Sequence, residues 1–229
     1  MKNKMMLLAL AAISAVMFVL PAVASAGEPK IDPASGKFPL SFTSTGTHGE
    51  LRATGEPAIT CTSNTGTGSY TTATTGTIAL TFHGCTTSFF GFPVACNSAT
   101  QPSGTIKTNS SVFHTTYLTD AKTKPGVLVT PPAGEVFTTI ICGGFANIEV
   151  KGNGILGELK APECGKSSKT ATLDFAATGS SQTFKKVTAT GIDYSLNSVT
   201  EGGTTVTAAE VAEGTVTYAG GESATLTCV

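Results

Sequence analysis

Stretches in which apolar and polar residues alternate recur along the chain from about Phe42 to its end. The clearest is 77–82, where Ile78, Leu80 and Phe82 are separated by threonine and alanine. A period of two places every second side chain on one face of a β-strand. The pattern returns at 172–175, 192–196, 216–218 and 224–228. The sequence therefore predicts an all-β protein.

Turn-forming residues separate these strands. Groups rich in glycine, asparagine and proline stand at 64–66, 124–126, 152–154 and 220–221, and such groups mark turns. The segments between them predict about ten to twelve strands at the spacing of a sandwich or barrel. A sheet of that many strands must curl or split into two. We therefore expect a single-domain, antiparallel β-barrel or barrel-like sandwich, stabilised by disulfides.

Three segments carry more specific expectations. Residues 27–40 hold three prolines and no periodicity, so they predict a loose leader before a single all-β domain at 41–229. The turn signal at 131–134 predicts a four-residue hairpin loop that joins 127–130 to 136–142. Residues 206–213 fit either a helix or a strand and turn.

The first 26 residues have the anatomy of a secretory signal peptide. Lys2 and Lys4 precede an apolar run without charge, and Ala24, Ser25 and Ala26 supply the small residues of a cleavage site. An uncleaved membrane anchor is the alternative, because about 20 apolar residues can span a bilayer. Pro21 near the end of the run favours cleavage. We expect cleavage after Ala26 and a secreted, extracellular protein.

All six cysteines lie after the predicted cleavage site. An even number of cysteines in an exported chain predicts three disulfides rather than a zinc site, which usually needs closely spaced pairs. Cys85 and Cys96 are close in the sequence, and Cys142 and Cys164 flank the next pair of predicted strands, so we expect these two bonds. The remaining bond, Cys61 with Cys228, would tie the first strong strand to the last residues. The main rival joins Cys61 to Cys85 across one hairpin and leaves Cys96 for a distant partner.

Composition excludes several classes of protein. The chain of 229 residues has a net charge of −1 and Arg52 as its single arginine, and 13% of its residues are charged. Such a chain lacks the basic surface that nucleic-acid binding requires. It is also too hydrophobic and too weakly charged for a disordered polymer. Its 40 threonines suit strands, because a β-branched side chain favours extended backbone.

Three blocks of the chain resemble a known group of proteins. Residues 60–85 (TCTSNTGTGSYTTATTGTIALTFHGC), 164–175 (CGKSSKTATLDF) and 224–228 (ATLTC) are similar to exported, Thr- and Gly-rich all-β proteins of high-GC Gram-positive soil bacteria. The resemblance would cover most of 27–229. It implies secretion and an all-β fold. That group is uncharacterised, so the resemblance transfers no active site.

Motifs of catalysis are scarce. The chain has no G-x-S-x-G, no H-E-x-x-H and no phosphate-binding loop. His83 and His114, with Asp120, are weak candidates for a polar site, and an ordinary position on a solvated strand face or near a barrel end explains both histidines better. We therefore expect no catalytic residue, no metal and no cofactor.

The segment 88–93 concentrates three aromatic residues between two cysteines. Phe89, Phe90 and Phe92 form a candidate apolar recognition loop, or one that closes a hydrophobic cavity. In the alternative these rings fold back as a plug in the core, as aromatic side chains most often do.

The sequence is most consistent with a secreted, non-catalytic β protein in the cell envelope or the medium. Its role would be binding or structural, and its partner an apolar small molecule or a cell-envelope component. One alternative is a small secreted hydrolase with an unrecognised carboxylate or histidine site. Another is a surface or matrix protein that assembles through strand edges.

Overall fold

The computed structural model describes residues 27–132, 136–144, 146–187, 190–200 and 203–229. The predicted signal peptide, 1–26, lies outside the described residues. These residues form β-strands and one short 3-10 helix, Ala219–Gly221. The strands are β1 (Lys30–Pro33), β2 (Leu40–Ala53), β3 (Ile59–Cys61), β4 (Ser63–Tyr70), β5 (Thr75–His83), β6 (Thr86–Phe89), β7 (Phe92–Ser98), β8 (Thr105–Lys107), β9 (Ser111–Tyr117), β10 (Pro125–Thr130), β11 (Val136–Cys142), β12 (Ala146–Gly152), β13 (Ile155–Ala161), β14 (Ser167–Ser168), β15 (Thr170–Phe175), β16 (Ala177–Thr178), β17 (Ser181–Gln182), β18 (Leu196–Thr200), β19 (Thr205–Tyr218) and β20 (Ala224–Thr227).

The expectation of an all-β protein with an antiparallel sheet is confirmed. Fifteen of the described strands form one large sheet, which is more than the ten to twelve expected. The ambiguous segment 206–213 lies within the long strand β19. Among the described residues, no helix has the length and apolar character needed to cross a membrane.

The two longest strands of the large sheet, β2 and β19, pair with each other. They pair antiparallel from Phe42 opposite Tyr218 to Ala53 opposite Ala208. The register shifts between Glu213 and Thr215, so the inward-facing positions change parity along β2. We call this pair of strands the β2–β19 ribbon.

The ribbon is shared by two closed circuits of hydrogen-bonded strands. In the first circuit, β4, β5, β9, β10, β13 and β15 connect the first half of β2 to the second half of β19. In the second circuit, β3, β6, β7, β11, β12 and β18 connect the remaining halves. The strand β8 adds to β5.

The predicted hairpin between 127–130 and 136–142 is wrong. The strand β10 pairs with β9 and β13, whereas β11 pairs with β7 and β12. The chain thus passes from the first circuit to the second between residues 132 and 136. A turn signal shows that a strand ends, but it does not show that the next strand lies beside it.

The segment 27–40 is not a loose leader along its whole length. It contains β1, which pairs with β20 in a separate three-stranded sheet with β14. Ile31 is only 1% exposed, and its backbone N–H donates to the carbonyl oxygen of Ala73 at 2.8 Å. The hydroxyl of Thr115 donates to the Pro29 carbonyl oxygen. These contacts hold the segment against the first circuit.

The three disulfides are confirmed, but the favoured pairing is wrong. The bonds join Cys61 to Cys85, Cys96 to Cys142 and Cys164 to Cys228. The rival bond Cys61–Cys85 is therefore correct, and Cys96 takes the distant partner. The circuits close through strand pairing, not through a bond between Cys61 and Cys228.

Strand register explains why Cys85 does not bond Cys96. Cys96 stands directly opposite Cys142 in the β7–β11 pair, with the two Cα atoms 4.1 Å apart. The Cys96 N–H donates to the Cys85 carbonyl oxygen at 2.9 Å, so these two residues are neighbours as well. Cys85 bonds to Cys61, and Cys96 bonds to Cys142. The four cysteines therefore lie in a row across neighbouring strands of the second circuit.

Candidate functional site: an interior cavity with a buried carboxyl

A cavity of about 100 Å³ lies in the interior, with walls from strands of both circuits. Most of its wall consists of aliphatic and aromatic side chains. Among them are Leu51, Phe82, Phe137, Ile140, Phe175 and Leu196. A concave, largely apolar space with few polar groups is the usual form of a small-molecule site.

Small residues on the β2–β19 ribbon account for the open space. Gly49, Ala212 and Gly214 line the cavity, and larger side chains at these points would occupy it. Gly49 also admits Phe82, since a Cβ at position 49 would stand 2.6 Å from the Phe82 ring. At these positions the β2–β19 ribbon therefore leaves room for the large side chains of the other strands.

Glu210 is the unusual polar residue of this wall. It lies in β19 on the same alternating face as Ala208, Ala212 and Val216, which are all buried. Its Oε1 atom is sealed from solvent and has no hydrogen-bond partner. Only one other described side-chain atom, Tyr218 Oη, shares that condition, and Tyr218 does not line the cavity.

Burial raises the pKa of Glu210 to about 8, and the negative charge of Glu50 on β2 adds to the rise. A buried carboxyl without a partner favours its neutral form, because the charged form loses its hydration. At neutral pH most Glu210 side chains therefore carry a proton. Such a carboxyl can donate or accept one hydrogen bond inside the cavity.

Glu50 is held in the opposite state. Arg52 Nη2 lies 2.6 Å from Glu50 Oε2, and His48 Nε2 lies 3.7 Å from the same oxygen. The hydrogen bond from Arg52 lowers the pKa of Glu50. The two neighbouring carboxyls thus differ in charge, with Glu50 ionised and paired, and Glu210 neutral.

Three other polar side chains at the cavity make hydrogen bonds within the fold. Asn64 Nδ2 donates to the His48 carbonyl oxygen at 2.7 Å, and Thr138 Oγ1 donates to the Lys107 carbonyl oxygen at 2.8 Å. Thr108 Oγ1 accepts from the Leu80 N–H at 2.9 Å. The buried Oε1 atom of Glu210, which has no partner, is therefore the polar atom that we expect a guest to use.

The phenylalanine segment lies elsewhere, at the tip of the β6–β7 hairpin. Phe89 pairs with Phe92, and Phe90 and Gly91 form the turn with φ angles of 49° and 83°. Phe90 is 95% exposed and Phe92 72% exposed, so these two rings are not a core plug. None of the three phenylalanines lines the cavity.

The structure does not bring the weak polar candidates together. His114 pairs with Thr75 at the start of β5, whereas His83 ends that strand. Eight residues of strand separate these positions by about 26 Å. Burial lowers the pKa of His114, and His83 Nε2 lies 3.3 Å from Thr65 Oγ1. Asp120 is exposed in the turn after β9. No cluster of three or more potential metal ligands occurs among the described residues.

Sequence reasoning missed Glu210, although a signal for it was present. In VTAAEVAEGTVTY the even-numbered positions hold Ala208, Ala212, Val216 and Tyr218, and Glu210 shares their parity. Reading 206–213 as a possible helix hides this period of two. A strand reading would have placed a carboxyl on the buried face.

Comparison with protein-family models, with curated proteins and with solved structures finds no match.

Proposed function

We propose that the protein is a secreted, non-catalytic binding protein that holds a small apolar molecule in its interior cavity. The observation that carries this proposal is the cavity itself, a largely apolar space of about 100 Å³ lined by strands of both circuits. Well-packed interiors have few voids larger than a water molecule. A space of this size in a closed sheet is therefore better explained by an occupant than by poor packing.

We further propose that each circuit of eight strands is a barrel wall, and that the two barrels meet end to end along the β2–β19 ribbon. An eight-stranded barrel has an interior that side chains can just fill, or that can hold one small ligand. The small residues Gly49, Ala212 and Gly214 at the junction leave the second option open.

The three disulfides support the proposed location. Such bonds persist in oxidising surroundings outside the cytoplasm. They also suit a carrier that must remain folded in the medium, since each bond restricts the unfolded chain.

The alternative roles have less support. A hydrolase would need a second reactive group beside Glu210. Glu50, whose charge acts on Glu210, is bound to Arg52. Assembly through strand edges would need a long uncovered edge. In the described part of the chain, the long strands β2 and β19 are paired on both sides over much of their length.

The first test measures ligand binding to the exported protein. Native mass spectrometry of freshly purified material should show a retained small molecule, or thermal unfolding should shift upward with pentane, 1-pentanol or toluene. A ligand at 100 times its Kd stabilises the folded state by about 2.7 kcal/mol. A protein that carries no ligand and is stabilised by none of these compounds would overturn the proposal.

A cavity-filling variant makes the test specific. Ala212→Leu places three more carbon atoms against the cavity and should abolish the ligand-induced shift, while unfolding of the ligand-free protein stays cooperative. The matched control is Ala121→Leu, which makes the same change in an exposed turn and should leave the shift intact. Ala212→Val, a smaller addition, serves where the leucine variant does not fold.

A further inference from the structure

Building on the proposed binding function, we propose that the cavity selects an apolar molecule with a primary amine, and that its nitrogen pairs with the Glu210 carboxyl. The argument starts from the unsatisfied Oε1 atom. A buried polar atom without a partner destabilises the folded state, because it has lost its hydrogen bonds to water. A guest that brings a donor to Oε1 recovers that free energy, whereas a hydrocarbon does not.

Charge around the site favours a cation over other donors. Glu50 is ionised on the neighbouring strand, and its charge acts on Glu210. The basic side chains beside Glu50, Arg52 and His48, are engaged with that carboxylate. On β19 itself, Glu213 is exposed and paired with Lys160. No described cation is thus directed at Glu210, and a carboxylate guest would be repelled.

Proton transfer completes the pairing. A neutral amine that enters the cavity takes the proton of the Glu210 carboxylic acid, so an N–H bond forms as the O–H bond breaks. The products are an ammonium and a carboxylate in contact, joined by a charge-assisted hydrogen bond of roughly twice the strength of a neutral one. An ammonium that meets the carboxylate form reaches the same state. A neutral alcohol gains only an ordinary hydrogen bond.

Size limits the guest to a short molecule. A single water requires about 10–15 Å³ when volume is measured as space for its centre. A cavity of about 100 Å³ therefore holds on the order of seven to ten non-hydrogen atoms at most by this measure. A pentyl chain with one amine nitrogen has six such atoms and leaves little empty space.

The experiment compares n-pentylamine, 1-pentanol and pentanoate by titration calorimetry on the ligand-free exported protein. The wild type should bind pentylamine at least tenfold more tightly than 1-pentanol, and pentanoate not measurably. Glu210→Gln removes the charge but keeps the shape, so it should weaken pentylamine binding at least tenfold and change 1-pentanol binding less than threefold. The matched control Glu149→Gln alters a glutamate of β12 that is paired with Lys151 and does not line the cavity, and it should change neither.

The outcomes separate this inference from the proposed function. If 1-pentanol binds but pentylamine binds no better, or if Glu210→Gln retains the amine, the selection by Glu210 is refuted and the apolar cavity site stands. If neither compound binds the wild type, both proposals fail. Should the glutamine variant not fold, the order of the three ligands on the wild type decides.

Discussion

Glu210 shows how a single residue can set the chemistry of an interior. The alternation of β19 directs it inward with Ala208 and Ala212, and the apolar wall denies its carboxyl a partner. Glu50 is less buried, and Arg52 beside it lowers its pKa. The two carboxyls differ in protonation because burial raises the pKa of Glu210, whereas the hydrogen bond from Arg52 lowers the pKa of Glu50.

The raised pKa of Glu210 predicts that stability depends on pH. The pKa rises from 4.5 to about 8 on folding, so the folded state binds the proton more tightly than the unfolded chain. The stabilisation is therefore complete below about pH 4.5 and is lost as pH rises towards 8. Between these limits the ligand-free wild type should lose about 4 kcal/mol of unfolding free energy relative to Glu210→Gln.

Chemical denaturation of both proteins at several pH values between 4.5 and 9 measures this difference. The comparison cancels the contribution of His114, whose lowered pKa makes both proteins less stable as pH falls below about 6.5. It also cancels most of that from Glu50, whose lowered pKa acts below about pH 4.5. Glu213→Gln should follow the wild type. Parallel curves for wild type and Glu210→Gln would show that the carboxyl is not buried.

At the scale of elements, the β6–β7 hairpin combines an unfavourable backbone with exposed aromatic side chains. Phe90 adopts a φ of 49°, which is uncommon for a bulky residue, and its ring is 95% exposed. Two residues with positive φ are typical of the tight turns that favour Asn-Gly in hairpins. The sequence of this turn is therefore not the most stable one for its shape.

Replacement of Phe90 by asparagine tests this point. Phe90→Asn creates the preferred Asn-Gly turn and should raise the free energy of unfolding by about 1 kcal/mol. Phe92→Asn is the control, because Phe92 is also exposed but lies in a strand, where asparagine is disfavoured. Chemical denaturation of the three proteins gives the values. A loss of stability in Phe90→Asn would mean that the ring makes favourable contacts in the folded state.

At the scale of the whole molecule, the three disulfides divide into two kinds. Cys85, Cys96 and Cys142 are fully buried and Cys61 is nearly so; together they brace the second circuit. Cys164 is exposed and Cys228 is half-buried, and their bond ties the turn after β13 to the residue after β20. The bonds Cys61–Cys85 and Cys96–Cys142 are buried in the core, whereas Cys164–Cys228 lies at the surface.

Reduction under native conditions should follow this division. A thiol reagent must reach a sulfur to attack it, so mild reductant should open Cys164–Cys228 first and leave the other two bonds intact until the protein unfolds. Alkylation followed by peptide mass spectrometry should find two labelled cysteines before six. Labelling of Cys61 or Cys96 at the same rate as Cys164 would contradict the burial seen here.

Local sequence determined the secondary structure of this protein. The alternation around Ile78, Leu80 and Phe82 needs only neighbouring residues to predict a strand, because side chains two positions apart share a face. The presence of disulfides follows from an even number of cysteines behind a predicted export signal. The parity of Glu210 was also visible in the sequence, once 206–213 is read as a strand.

Tertiary structure alone decided which strands meet. The strands β10 and β11 follow each other in the chain but belong to different circuits, and β1 is held by β20 from the other end of the sequence. The partner of Cys96 depends on the register of β7 against β11, and the cavity on small residues of the ribbon that face large side chains from both circuits. These are contacts between distant segments, formed when the whole sheet closes, and a local pattern carries no information about its remote partner.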